Sequence, residues 1–453
     1  MSSTFSDNFE TSLAMVETPE SAYLDDHGST IAGAIHRMGT QLGWAREGKG
    51  PLGALIPPGA RVLIKPNWVL HHNQGSGGMD PMITHGSVVK AVVDAALQSD
   101  AAEVLVGDAP IQTCDFPALL TASGLDSWSN ELAKTDARFR GVKDFRRTKA
   151  NYVNGVRVAE ENVLPEDDFV LFDLGADSLL EPITDEKDDF RVTCYDPRLM
   201  AKTHGKGRHR YLVARDVMAA DVVINLPKLK THKKAGITCA LKNLIGINGN
   251  KEYLPHHRLG GTDLGGDCYP GKSRVKRMLE YAADQQNLSD AGAKARVWGG
   301  VATQLNRVLH LMRDELGIEG SWSGNDTIWR TGLDLNRVML YGDVEGSMNS
   351  SPQRRVVHLA DAIVAGQGDG PLSPLPLPLG LLFAGNNAAV VDWFGAQLLG
   401  YDPERLPIVR EAFGSFRWPI ATSRPGEELK VKQLLPVIYP AGWRNAAIKT
   451  PAA

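Results

Sequence analysis

Between Arg198 and Lys234 the chain carries ten Lys or Arg residues against two acids, Asp216 and Asp221, with His204, His209 and His232 among them. Its last part, Lys228-Leu229-Lys230-Thr231-His232, follows directly on the apolar run Asp221-Val-Val-Ile-Asn225. Lysine offers a phosphate or carboxylate a point charge, and the nearby glycine-bearing turn Lys242-Asn243-Leu-Ile-Gly246 offers backbone N–H groups. Lys228 and Lys230 stand two apart, so an extended turn points both the same way and Leu229 toward the packed side. The segment is therefore expected to line a concave anion site. Replacing both lysines by Met is expected to abolish binding with little change in melting temperature. Lys65, Asn67, Lys251 and His256 complete the expected anion-binding set with Lys242 and Asn243. Proton transfer falls to His85, Asp108 or His232, since histidine titrates nearest neutrality.

Asp80, His85 and Asp108 form an oxygen-rich set suited to a divalent cation of the Mg²⁺ type. His71, His72, Asp115, His232, His256 and His257 are further potential ligands, but no tight motif such as His-Glu-x-x-His is present. The four cysteines, Cys114, Cys194, Cys239 and Cys268, are widely spaced. That spacing argues against a cysteine-ligated cluster and suits a reducing cytosol. No Gly-x-x-x-x-Gly-Lys-Ser/Thr or Gly-x-Ser-x-Gly occurs, which disfavours P-loop and serine-hydrolase chemistry.

The elements that must position these groups alternate in type. Arg61-Val-Leu-Ile-Lys65 and Glu103-Val-Leu-Val-Gly107 read as buried strands, and Ser87–Gln98 between them has helical spacing; together they make a βαβ unit. Phe169-Val-Leu-Phe172, Asp221–Asn225, Arg337-Val-Met-Leu-Tyr341, Val356-Val-His-Leu359 and Gly380-Leu-Leu-Phe383 also read as strands. Helices are expected near Ile31–Trp44, over Lys272–Leu316 and at Ala388–Leu399, the last closed by Gly400. Pro371–Leu379 reads as an irregular loop, and residues 1–30 as a loose extension. The expected fold class is α/β, with a mainly parallel sheet flanked by helices and a helical insertion. Its parts are 1–54 (extension and first helix), 55–262 (core with the basic turn), 263–336 (insertion) and 337–453 (completion of the core). The polar turns at strand carboxyl ends, Lys65-Pro66-Asn67, Gly107-Asp108, Pro227–His232 and Gly385-Asn386-Asn387, are where open parallel sheets bind ligands.

Composition narrows the function. With 49 Lys+Arg against 53 Asp+Glu the chain is no global nucleic-acid binder. No run of about 18 apolar residues is present, and the start shows no apolar signal segment. A cytoplasmic protein without a membrane partner is expected; composition sets no oligomeric state.

Several motifs together resemble a known family. Val62-Leu-Ile-Lys65-Pro66-Asn67, Thr84-His85, Val106-Gly107-Asp108-Ala-Pro110, Ile224-Asn-Leu-Pro-Lys228-Leu-Lys230-Thr-His232 and Thr238-Cys-Ala-Leu-Lys242-Asn243-Leu-Ile-Gly246 resemble the family catalogued as domain of unknown function 362. Ala360-Asp361, Gly368-Asp-Gly370-Pro371, Ala384-Gly385 and Val390-Val-Asp392 resemble its later motifs. The resemblance covers about Val62 to Gly400 and carries over to Lys65, Asn67, Thr84, His85, Asp108, Lys228, Lys230, His232, Lys242, Asn243, Lys251, His256, Asp361 and Asp392. Within that set, Asn243 is expected to cap a helix and Asp392 to bond a neighbouring turn. Many members carry a cysteine-rich segment for iron–sulfur clusters, and this chain has none, so such a cluster is not expected here. It also carries a long segment from Asp263 to Asp334, and Ala362 stands where glycine is usual.

The expected function is a cytosolic enzyme acting on a small phosphate- or carboxylate-bearing metabolite, with a divalent metal as a candidate cofactor. The alternatives are a redox protein like the cluster-bearing relatives, or a non-catalytic nucleotide- or RNA-binding module; sparse aromatics (Tyr195, Tyr211) in the basic segment disfavour base stacking.

Overall fold

The computed structural model describes residues 12–25, 28–153, 156–187, 189–289, 292–426, 429, 431 and 435–448. Ten strands form one sheet: β1 (Leu13–Glu17), β2 (Arg61–Pro66), β3 (Glu103–Asp108), β4 (Phe139–Asp144), β5 (Val222–Leu226), β6 (Lys228–His232), β7 (Gly236–Thr238), β8 (Arg355–Asp369), β9 (Ser373–Leu377) and β10 (Leu381–Gly385). The order is β1-β10-β8-β5-β2-β3-β4, with β6 pairing β7 and β8, and β9 pairing β8. Strands β8, β5, β2, β3 and β4 run parallel, while β10 runs antiparallel to β8, and the edge strand β1 runs antiparallel to β10. The expected α/β class holds, and strands from both halves of the chain share one sheet.

The parallel strands are continuous apolar runs because helices cover both faces. Val62 and Ile64 of β2 pack into one core, with helices α1 (Ser29–Gln41) and α2 (Gly86–Leu97). Leu63 between them packs into a second core on the opposite face, with α5 (Ile328–Tyr341). Each such side chain, fully buried, contributes about 1.5–3 kcal/mol.

Chain order decides where a ligand can enter. From β2 the chain steps to β3 and β4 on one side, then returns to β5 on the other side of β2. The crevice at a switch point opens between the carboxyl ends of such a pair. Here those ends carry Lys65 and Asn225, which are directly in register. Strand β8 is 15 residues long: its first part pairs β5, and its continuation pairs β6. The sheet therefore extends past its own carboxyl edge, and Lys228–His232 becomes a wall above the crevice.

Four expectations change. The extension 1–30 is not loose over its described part. Leu13–Glu17 is the edge strand β1, with Ala14 and Val16 turned inward, and Tyr23 is buried. Five residues with two inward side chains give too short an alternation to read. Arg337–Tyr341 lies in helix α5, because a five-residue apolar run fits either period. Pro371–Leu379 contains strand β9, whose two prolines are tolerated because β9 pairs on one side only, with β8. Phe169–Asp173 is a strand, but of a separate antiparallel sheet with Arg208–Ala214.

The insertion is a hairpin of α3 (Arg274–Asn287) and α4 (Ala293–Leu311) with a small core of Leu279, Ala282, Ala302 and Leu309. Helix α5, placed partly in the insertion by sequence, belongs to the main core. Helix α6 (Ala388–Leu398) ends as expected, with Gly400 in the left-handed region at φ 68°. Of the tail after Glu427, residues 429, 431 and 435–448 are described, and Ala441–Ala446 forms a 3-10 helix.

Candidate functional site

Lys65 ends β2 with its ammonium fully buried. It donates to Asp108 Oδ1 at 2.7 Å, to Asn243 Oδ1 at 3.2 Å and to the Pro66 carbonyl at 3.0 Å. Asp108 ends β3 and also accepts from the backbone N–H groups of Trp68 (2.7 Å) and Ala109 (2.9 Å). Burial pushes the Asp108 carboxyl up and the Lys65 ammonium down, and their mutual attraction opposes both shifts. Gly246 lies against this pair. A Cβ there would stand 2.1 Å from Asp108 Oδ1 and 2.8 Å from Lys65 Nζ. Gly246→Ala is therefore expected to destabilise by about 1–3 kcal/mol, measured as a shift in urea midpoint at unchanged slope.

Asn243 does not cap a helix. It sits in the short helix Ala240–Asn243, and its amide joins the strand ends, accepting from Asn67 Nδ2 at 3.0 Å and donating to Asn225 Oδ1 at 2.7 Å. Thr84 fastens the same crevice, its hydroxyl donating to the Leu226 carbonyl at 2.6 Å and accepting from Asn67 N–H at 2.8 Å. Asn67 Oδ1 is buried without a hydrogen-bond partner among the described residues. Asp392 bonds a neighbouring turn as expected, accepting from Leu241 N–H at 3.2 Å, and burial pushes its carboxyl up to about 7.

A second ion pair lies on the wall. Lys228 Nζ meets Asp361 Oδ2 at 2.6 Å, both fully buried. Tyr23 donates to Asp361 Oδ1 at 2.5 Å and accepts from Lys228 at 2.9 Å, and His85 N–H donates to Asp361 Oδ2 at 3.0 Å. The His85 ring stacks on Tyr23 at 3.9 Å, and its Nδ1 faces the Ser87 hydroxyl at 2.7 Å, capping α2. Tyr23 thus latches the N-terminal segment to the site. Sequence reading missed it because nothing in residues 20–24 marks a buried tyrosine. Asn225 was legible: it is the one polar residue in the Val-Val-Ile-Asn-Leu strand.

The expected metal triad is not assembled. The two oxygens of Asp108 hold Lys65 and two backbone N–H groups, while Asp80 Oδ1 lies 3.8 Å from His85 Nε2. Among the described residues no three His, Cys, Asp or Glu side chains converge for a metal ion. The same bonds take Asp108 out of the acid–base set, and capping and stacking occupy His85.

What remains is cationic. Lys230 is fully buried on β6; its ammonium donates to the Met82 carbonyl and makes no ion pair among the described residues. Burial, then Lys228 and Lys242, push it well below the usual lysine range. Lys242 is half-buried without a side-chain partner among the described residues, and burial, Lys234 and Lys65 pull it down to about 7. Lys234 donates to Thr193 Oγ1 at 2.8 Å, and Lys251 to the Thr193 carbonyl at 3.3 Å. His232 Nδ1 accepts from the N–H groups of Lys234 (3.0 Å) and Ala235 (3.2 Å), which assigns its proton to Nε2. His256 faces the Leu254 carbonyl through Nδ1 at 2.7 Å, which assigns that proton to Nδ1 and leaves Nε2 a lone pair. Burial and the surrounding lysines hold both rings well below the ordinary histidine range.

The basic segment as a whole is not one site. Arg198 pairs Asp196, Lys206 pairs Glu186 and Arg210 pairs Asp173, all outward. Lys228, Lys230, His232 and Lys234, beyond the β5 carboxyl end, turn into the crevice region, while Lys233 pairs Asp369.

A mainly parallel sheet flanked by helices, with buried lysines beyond its strand ends, defines an α/β protein. The chain belongs to the family described as Domain of unknown function (DUF362), whose model matches residues 62–171 and 156–397. A thylakoid-associated protein of Synechocystis sp. is 23% identical over 363 residues, covering 80% of this chain and 70% of its own length. A crystal structure of a Thermotoga maritima protein is similar over 77% of this chain at 10% identity and a TM-score of 0.29. This chain spans 53% of that protein. No described helix is long and apolar enough to cross a membrane.

Proposed function

We propose that the protein is an enzyme acting on a small phosphate- or carboxylate-bearing metabolite, bound over Lys230 and Lys242. The observation that carries this reading is the uncompensated charge. Lys65 and Lys228 have carboxylate partners, whereas Lys230 and Lys242 have none among the described residues. A lysine shielded from water without a counter-ion gives up its proton more readily, and a bound anion restores the charged form. His256 Nε2 is then the general base and the His232 Nε2–H the donor. Lys242, near neutrality, is a proton carrier at the same place. A metal ion is not part of this reading, because the donors expected to hold it are engaged elsewhere. The buried free thiols Cys114, Cys239 and Cys268 suit a cytosolic location.

The test is calorimetric titration with sulfate, followed by mass spectrometry of any small molecule released on denaturation. Lys230→Met and Lys242→Met are each expected to weaken sulfate at least about tenfold, the scale of one lost charge-assisted contact of about 1.5–3 kcal/mol. Wild-type affinity in both variants would remove the proposal.

A further inference from the structure

The hairpin α3–α4 leaves space beneath it. A cavity of about 510 Å³ lies between the hairpin and the segment Arg191–Cys194. Thr193 is a wall shared with the lysine cluster: the cavity is lined by Thr193, while Lys234 and Lys251 both donate to it. Lys234, which also acts electrostatically on Lys242, therefore stands between the cavity and the proposed anion site.

The lining is polar, and among the described residues its charged side chains other than Glu280 have ion-pair partners, with Glu315 pairing Arg444 and Glu319 pairing Lys234. Arg191 pairs Asp284 at 3.0 Å, Asp314 pairs Lys276 at 2.7 Å and Lys233 pairs Asp369 at 3.2 Å. Glu280 accepts from Gly260 N–H at 2.8 Å. Gln286, Thr303 and Asn306 add uncharged donors and acceptors, beside apolar Leu279 and Ala302. His257, 6% exposed, also lines the cavity, and its Nδ1 has no hydrogen-bond partner among the described residues. Buried polar atoms are normally satisfied, so an orphan on a cavity wall marks a place for a ligand atom.

We propose that this cavity is the second half of the substrate site and takes the uncharged, hydrogen-bonding body of an organic phosphate or carboxylate, of sugar or nucleoside size. The inference rests on the anion site above. The volume falls inside the roughly 300–1,000 Å³ of small-molecule sites. His257 hydrogen-bonds the body, and the hairpin sets its identity. The segment that sequence reading marked as additional to the family pattern is thereby the specificity element.

The experiment compares methyl phosphate with ribose 5-phosphate and the nucleoside 5′-monophosphates by calorimetry on the full chain. At least one larger probe should bind ten-fold or more tighter than methyl phosphate. Asn306→Trp, which fills the cavity from an exposed position, and His257→Phe, which removes the orphan nitrogen, should each erase that advantage. Methyl phosphate affinity should stay within two-fold in both. If methyl phosphate binds but no larger probe binds tighter, or the advantage survives both variants, the cavity assignment is overturned and the anion site stands. If methyl phosphate itself fails to bind, the anion site falls and this inference with it.

Discussion

Asp361→Ala is expected to destabilise the protein by about 3–5 kcal/mol, as removal of one partner of a buried ion pair does elsewhere. The carboxylate is fully buried and accepts from Lys228, Tyr23 and the His85 N–H. Its loss leaves Lys228 charged in an apolar wall with only Tyr23 and the Val364 carbonyl for company. It also releases the latch of the N-terminal segment and an anchor at the start of α2. Lys228→Met should be comparably damaging, because it strands Asp361 instead. The double variant Lys228→Met/Asp361→Leu should recover most of the loss, since both charges leave together. Urea denaturation of the three variants at one pH checks this; single variants within about 1 kcal/mol of wild type would contradict the pair. The result also corrects an expectation from sequence. Replacing Lys228 and Lys230 together by Met cannot be thermally silent. Of the two, Lys230, which has no carboxylate partner among the described residues, is replaceable without stranding a charge.

Sulfate affinity is expected to fall as pH rises above about 7, by up to about tenfold per pH unit, the limit for loss of one proton from the site. Sulfate does not titrate in this range, so the dependence belongs to the protein. Lys242 is the group responsible: burial, Lys234 and Lys65 pull it down to about 7, and a bound anion favours its charged form. The sign for stability follows from the same shift. Unfolded, the lysine titrates at its ordinary value of about 10.4. Between about 7 and that value the unfolded chain holds more protons, so the ligand-free protein gains stability as pH rises across the window. Ligand-free stability and sulfate affinity should therefore move in opposite directions. Lys242→Gln should flatten both curves. An affinity that stays constant from pH 6 to 9 in the wild type would exclude Lys242 as the titrating contact.

Much of this was determined by the sequence alone. The buried strands Val62–Ile64 and Val222–Ile224 suggest a parallel sheet, because a short apolar run bounded by turn residues suits a strand covered on both faces. The motif residues Lys65, Asn67, Lys228, Lys230, Lys242 and Asn243 were legible because strand ends expose polar groups at one edge. Tertiary structure decided what each of them does. Lys65 and Lys228 look like Lys230 in sequence, yet Asp108 and Asp361, from other strands, neutralise the first two and leave the third uncompensated. Asp108 looks like a metal ligand until Lys65 and two backbone N–H groups fill its oxygens. Tyr23 reaches Asp361 across 338 residues, a contact no local pattern encodes. The reason is common to all three: periodicity reports which face a side chain takes, whereas the charge a site retains depends on which partners distant strands bring within about 3 Å.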